Sequence, residues 1–155
     1  DEAAALGARA CELLQGVSAP PDSAFVFGAN AYAAVARVLL ATGRPEQGEE
    51  LLLPVYRAAE RSGWREAAAG TELVLGLCAE ARGELEQARE RLDHAAWLAD
   101  QYGILGVGWE AHAAMARLVD EPHEHRATAR AIVERVAAEL KDDDLRAGLL
   151  ELARP

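Results

Sequence analysis

Gly43-Arg44-Pro45-Glu46-Gln47-Gly48-Glu49-Glu50 falls on Gly83-Glu84-Leu85-Glu86-Gln87-Ala88-Arg89-Glu90 when the chain is slid along itself to set Gly43 on Gly83. The register persists beyond this stretch. Leu52 meets Leu92, Ala59 meets Ala99, and Gly63 meets Gly103. Self-similarity at a fixed period of this size marks a stack of like structural units. Each unit reads as a helix, a tight Gly turn, a second helix and a looser Gly turn. Antiparallel neighbours need small residues where their backbones approach, and a permissive residue where the chain reverses. One such pair cannot bury its own apolar stripe, so pairs must stack.

Outward from this repeat, the apolar spacing stays helical. Leu85, Ala88, Leu92, Ala95 and Ala99 recur at alternating steps of three and four, and so do Gly48, Leu52, Val55 and Ala59. Leu105, Trp109, His112, Ala116 and Val119 form another such stripe. Breakers at Pro20-Pro21, Gly43-Arg44-Pro45, Ser62-Gly63, Gly83, Gly103 and Glu121-Pro122 divide the chain. The pattern predicts about eight helices, near 2–15, 23–42, 45–61, 65–81, 84–100, 104–119, 124–140 and 143–153. Pro45 suits a first helical turn, and Asp142, Asp143 and Asp144 suit a helix start. Pro54 lies inside a helical stretch and is expected to kink it. The whole chain reads as one all-α domain cut from a longer protein, with units at about 28–67, 68–107 and 108–147.

Composition limits the function. The 155 residues include 26 acids against 16 bases, a net charge of −10. Nucleic-acid binding through a broad basic surface is excluded on that balance, since it needs clustered Lys and Arg. The apolar mass is small and aliphatic, with 35 Ala and 21 Leu but only 8 aromatic residues. Arg outnumbers Lys by 15 to 1, the coding habit of a GC-rich bacterial genome. No membrane span is expected, because the apolar stretch from Ala24 to Ala36 is too short. Cys11 and Cys78 sit far apart in apolar contexts, as buried thiols of a reducing, cytoplasmic compartment.

The repeat resembles the tetratricopeptide family. The second unit carries the likeness: Leu75-Gly76 on its first helix, the turn Gly83, the small Ala88, and Leu92 with Ala95. Tyr32 takes the aromatic position of the first unit, where Val35-Ala36 replaces Leu-Gly. The third unit lacks the turn glycine, and the family's closing proline is missing throughout. The likeness spans about residues 28–147. It implies a right-handed solenoid of antiparallel helix pairs. The 40-residue period with looser turns is similar to the MalT-like variant, found in large LuxR-type bacterial regulators and related signalling ATPases. The implied role is a non-catalytic scaffold for a protein partner or for neighbouring domains, with self-association into a homodimer as a further expectation. The face implied to line its groove comprises Asn30, Arg37, Leu73, Leu77, Glu80, Glu110 and Arg117.

Other constellations are weaker. Serine is scarce and none lies in a Gly-x-Ser-x-Gly elbow. Gly103-Ile104-Leu105-Gly106-Val107-Gly108 lacks the Lys that completes a phosphate loop. No cofactor, metal site or catalytic residue is expected. His123-Glu124-His125 has the wrong spacing for a helical metal pair and reads as a solvated surface, as does His94. Trp64, Trp97 and Trp109 read as core fillers. The alternative function is an effector sensor, in which Trp109, His112 and Arg117 along one helix contact a small molecule.

Overall fold

Four glycines reverse the chain at equal intervals. In the computed structural model Gly43, Gly63, Gly83 and Gly103 have φ of 75°, 71°, 78° and 69°. This is the left-handed region that a Cβ disfavours. After each glycine the next amide donates to a carbonyl five residues back: Arg44 to Leu39, Trp64 to Ala59, Glu84 to Ala79 and Ile104 to Ala99, at 2.9–3.1 Å. Such a bond satisfies a carbonyl at the helix end and fixes the exit of the chain. The long repeat is therefore two equal helix-and-turn steps, each half its length.

The structure describes residues 28–152, with Ala5 and Arg9 alone before them, both helical. The rest of the helix expected at 2–15, Pro20-Pro21 and Cys11 lie outside the described residues. Seven helices follow: α1 (Ala29–Ala41), α2 (Pro45–Ser62), α3 (Arg65–Arg82), α4 (Leu85–Tyr102), α5 (Leu105–Leu118), α6 (His123–Glu139) and α7 (Asp143–Leu152). No strand occurs among the described residues. α2 continues through Pro54, which sits on its exposed side, where water can satisfy the carbonyl left without a donor. Pro45 opens α2, and the Asp142 carboxylate accepts the Asp144 and Leu145 amides at the start of α7, both at 3.0 Å.

Each helix packs on the next, and α3 also touches α1 and α5. α3 and α4 run antiparallel: Glu72 meets Arg91 and His94, while Arg82, later on α3, meets Gln87, earlier on α4. The half-repeat step recurs in the packing. Gly48, Ala68, Ala88 and Gly108 hold the same place after the four turn glycines, and all are buried. A Cβ on Gly48 would meet Cys78 Sγ at 3.1 Å, and one on Gly108 would meet Ile132 Cδ1 at 3.3 Å. Further along the step come Val55, Leu75, Ala95 and Met115, again all buried. One core cluster joins α1, α2 and α3; a second joins Leu73 to Leu92, Ala95, Ala111, Ala114 and Met115.

Candidate functional site

The first helices of the pairs frame the site. Asn30, Ala33, Ala34 and Arg37 of α1 face Glu66, Gly70 and Leu73 of α3, and Gly103 to Val107 close the groove. Its volume is about 640 Å³. Gly70 and Gly106 leave the floor open, because a Cβ on either would meet no atom within 4 Å. Of the seven residues expected here, Asn30, Arg37 and Leu73 line this groove.

The charged members of the set pair with each other. Arg37 donates to Glu110 Oε2 at 2.6 Å, linking α1 to α5. Arg117 donates twice to the Glu80 carboxylate, at 2.9 and 2.7 Å, linking α5 to α3. The two-pronged contact holds the Arg117 guanidinium more firmly protonated than usual. Leu77 of α3 is half-buried and packs against the second core cluster. The charge on this face is thus largely neutralised within the protein. Glu66 and Asn30 are left exposed at the groove itself. Ala33, Ala34, Glu66, Gly70 and the stretch from Gly103 to Val107 are additions to the expected set. The repeat bears on Ala33 and Gly70, since one full repeat carries Asn30 onto Gly70 and Ala33 onto Leu73.

The same shift exposes a second regularity. Tyr32, Glu72 and His112 occupy one position of the repeat, and all three are buried on first helices and carry a polar group. Glu72 accepts from Arg91 at 2.9 Å and meets His94 Nδ1 at 3.3 Å. Burial pushes its carboxyl above the ordinary carboxylate range, against the opposing pull of Arg91 and His94. His112 meets His125 Nδ1 with its own Nδ1 at 2.9 Å, and Asp100 Oδ2 with Nε2 at 3.3 Å.

These contacts correct several expectations. His94 is not merely solvated, because it bonds Glu72 and stacks on Trp97 with ring centroids 6.0 Å apart. Trp97 is no core filler: it is 52% exposed on α4, where His94 covers one face. Trp64 and Trp109 are half-buried, with Trp64 against the first core cluster. His123 and Glu124 are exposed in the first turn of α6, but His125 turns inward to His112. Trp109, His112 and Arg117 do not converge on one site. His112 is engaged by α4 and α6, whereas Arg117 reaches α3.

A smaller cleft of about 390 Å³ lies between α4, α5 and α6, with Asp100, Thr128, Ile132 and Arg135 on its walls. Cys78 is free and buried, and burial pushes its thiol up to about 11, away from the range of a reactive thiolate. Among the described residues, no three His, Cys, Asp or Glu side chains converge to hold a metal ion. No described helix is long and apolar enough to cross a membrane. No family model matches the chain, and no curated protein or solved structure matches it.

Proposed function

We propose that this chain is a non-catalytic interaction scaffold, a tetratricopeptide-like right-handed solenoid that holds a protein partner or a neighbouring domain. The proposed setting is a cytoplasmic bacterial transcriptional regulator or signalling protein of the MalT-like kind. One observation carries the reading. A groove lined by small residues is framed by first helices that a shared core holds and ion pairs bridge, so its walls stand before any partner arrives. Preorganisation of this kind lowers the ordering cost of binding. Catalysis has no comparable support: the buried His112 has both nitrogens engaged, and the Cys78 thiol is held protonated.

The test is site-specific photo-crosslinking in cells. A crosslinker at Ala34, exposed at the groove, is compared with one at Trp97, exposed on α4. The scaffold reading expects one dominant adduct from position 34 and none like it from 97. Gly70→Leu or Gly106→Leu, at positions where an added Cβ meets nothing within 4 Å, should remove that adduct. Equal labelling from both positions, or none from 34, would contradict the reading.

The sensor alternative draws on the groove volume alone, which falls within the roughly 300–1,000 Å³ of small-molecule sites. It predicts instead that a metabolite library raises the melting temperature of the wild-type chain but not of Gly70→Leu.

A further inference from the structure

Asp100, His112 and His125 form one chain of hydrogen bonds across three helices, α4, α5 and α6. His112 is buried and His125 half-buried, so the contact is sheltered from water. The ring centroids lie 5.2 Å apart while the two Nδ1 atoms lie 2.9 Å apart. The centroid separation is about the nitrogen separation plus the two ring radii, so the rings meet end on. This is the geometry of one proton between two nitrogens. A metal ion about 2.0–2.1 Å from each nitrogen would have to sit off that line, with both rings turned toward it.

The proton count then follows. The Asp100 carboxylate accepts from His112 Nε2–H, which leaves a lone pair on His112 Nδ1. His125 Nδ1–H donates to that lone pair. A first added proton goes to His125 Nε2 and leaves both bonds intact. A second has only His112 Nδ1 to occupy. That proton would face the His125 N–H across the same short gap and set two positive rings against each other, while Asp100 offsets one charge at most. Glu124 and Arg126, which flank His125 on α6, are exposed and of opposite charge. Arg135 of α6 stands on the cleft that Asp100 lines and is itself positive, and Glu110 of α5 is committed to Arg37.

We propose that the His112–His125 pair is a pH-operated latch, which holds α6 on α5 while the pair carries a single shared proton at their contact and releases it when both rings are charged. The equivalent position in the preceding pair, Glu72, is held chiefly by Arg91, which stays charged at any physiological pH. The latch therefore acts on the last helices alone. Beyond the latch, α6 is held by Ala129, Ile132, Val133 and Ala137 and by α7, so release of the latch loosens the first turn of α6 beside the cleft between α4, α5 and α6.

Amide hydrogen exchange of the whole chain at about pH 7.5 and about pH 5.5 tests this across the range in which imidazoles charge. After correction for intrinsic rates, α6 amides should lose about tenfold in protection relative to α3, the equivalent of one lost hydrogen bond with its repulsion. His125→Gln should abolish that difference, because an amide can turn to donate or accept. Unchanged relative protection in the wild type, or an undiminished pH effect in His125→Gln, would overturn the latch. Nitrogen NMR of the wild-type imidazoles gives a second reading that needs no variant. At about pH 7.5 His112 should be the Nε2–H tautomer and His125 the Nδ1–H tautomer. The reverse assignment would overturn it.

Discussion

The pair α3–α4 and the pair α6–α7 are written in the same alanine-rich, charge-faced style, yet they are held very differently. α3 buries eleven residues, α6 buries four, and none of α7 as far as Glu151 is buried. The difference is one of neighbours rather than of intrinsic helix preference. α3 is surrounded by α1, α2, α4 and α5, whereas α6 packs on α5 and α7. Each helix gains its stability from the helices beside it, so a similar apolar stripe is core in the middle and surface at the end.

That contrast is sharpest for a single side chain. Leu92 is completely buried in α4, while Leu145 on α7 is 64% exposed. Leu92→Ala is expected to cost about 2–5 kcal/mol. Leu145→Ala should stay within about 0.5 kcal/mol. Urea denaturation of both variants checks the pair, and equal losses would break the comparison.

Glycines carry the contrast in sign. A Cβ on Gly76 would meet Leu92 Cγ at 2.8 Å, whereas one on Gly148 of α7 would meet nothing within 4 Å. Gly76→Val should therefore destabilise by about 1–3 kcal/mol through overpacking. Gly148→Ala should stabilise by up to about 1 kcal/mol, since alanine is the better helix former. Thermal melts of the two variants should shift in opposite directions.

A smaller effect tests the regular turn step. Gly83→Ala places a Cβ at a φ of 78°, which should cost about 1–2 kcal/mol in chemical denaturation. A loss near zero would mean that the turn does not need its left-handed residue.

The smallest effect lies in pH dependence. Glu72 is held above the ordinary carboxylate range chiefly by burial, so the folded chain binds this proton more tightly than the unfolded chain. Its contribution is fully present below the ordinary carboxylate range and is lost as pH rises through the raised value. Glu72→Gln should flatten that part of the stability curve, as melting temperatures across the acid range would show.

Most of the fold is legible in the sequence because turn and packing signals are local. Gly43, Gly63, Gly83 and Gly103 mark the reversals, and the apolar spacing places the helices from Pro45 onward to within two residues, but α1 starts at Ala29, after the turn at Gly28, where the pattern put a helix from 23. The groove is legible in part. The family resemblance implies Asn30, Arg37 and Leu73 on one face, but ion pairing between Arg37 and Glu110 joins helices far apart in the chain and leaves no local trace. His94 and His125 escape a sequence reading for a related reason. His94 lies off its helix's apolar stripe, His125 stands one turn before Ala129 at the very start of its own, and the partner that draws each inward, Glu72 or His112, belongs to another helix. The signal that does exist is the repeat itself, whose register sets Tyr32, Glu72 and His112 on one shared site.

The claim that neighbours set the stability of each helix, and that the groove stands on the well-held block, is tested most directly by native-state hydrogen exchange resolved by residue against rising denaturant. The account predicts that α3 and α4 exchange only through global unfolding, while α6 and α7 exchange together at lower denaturant as a separate unit. A single common isotherm for all seven described helices would contradict it.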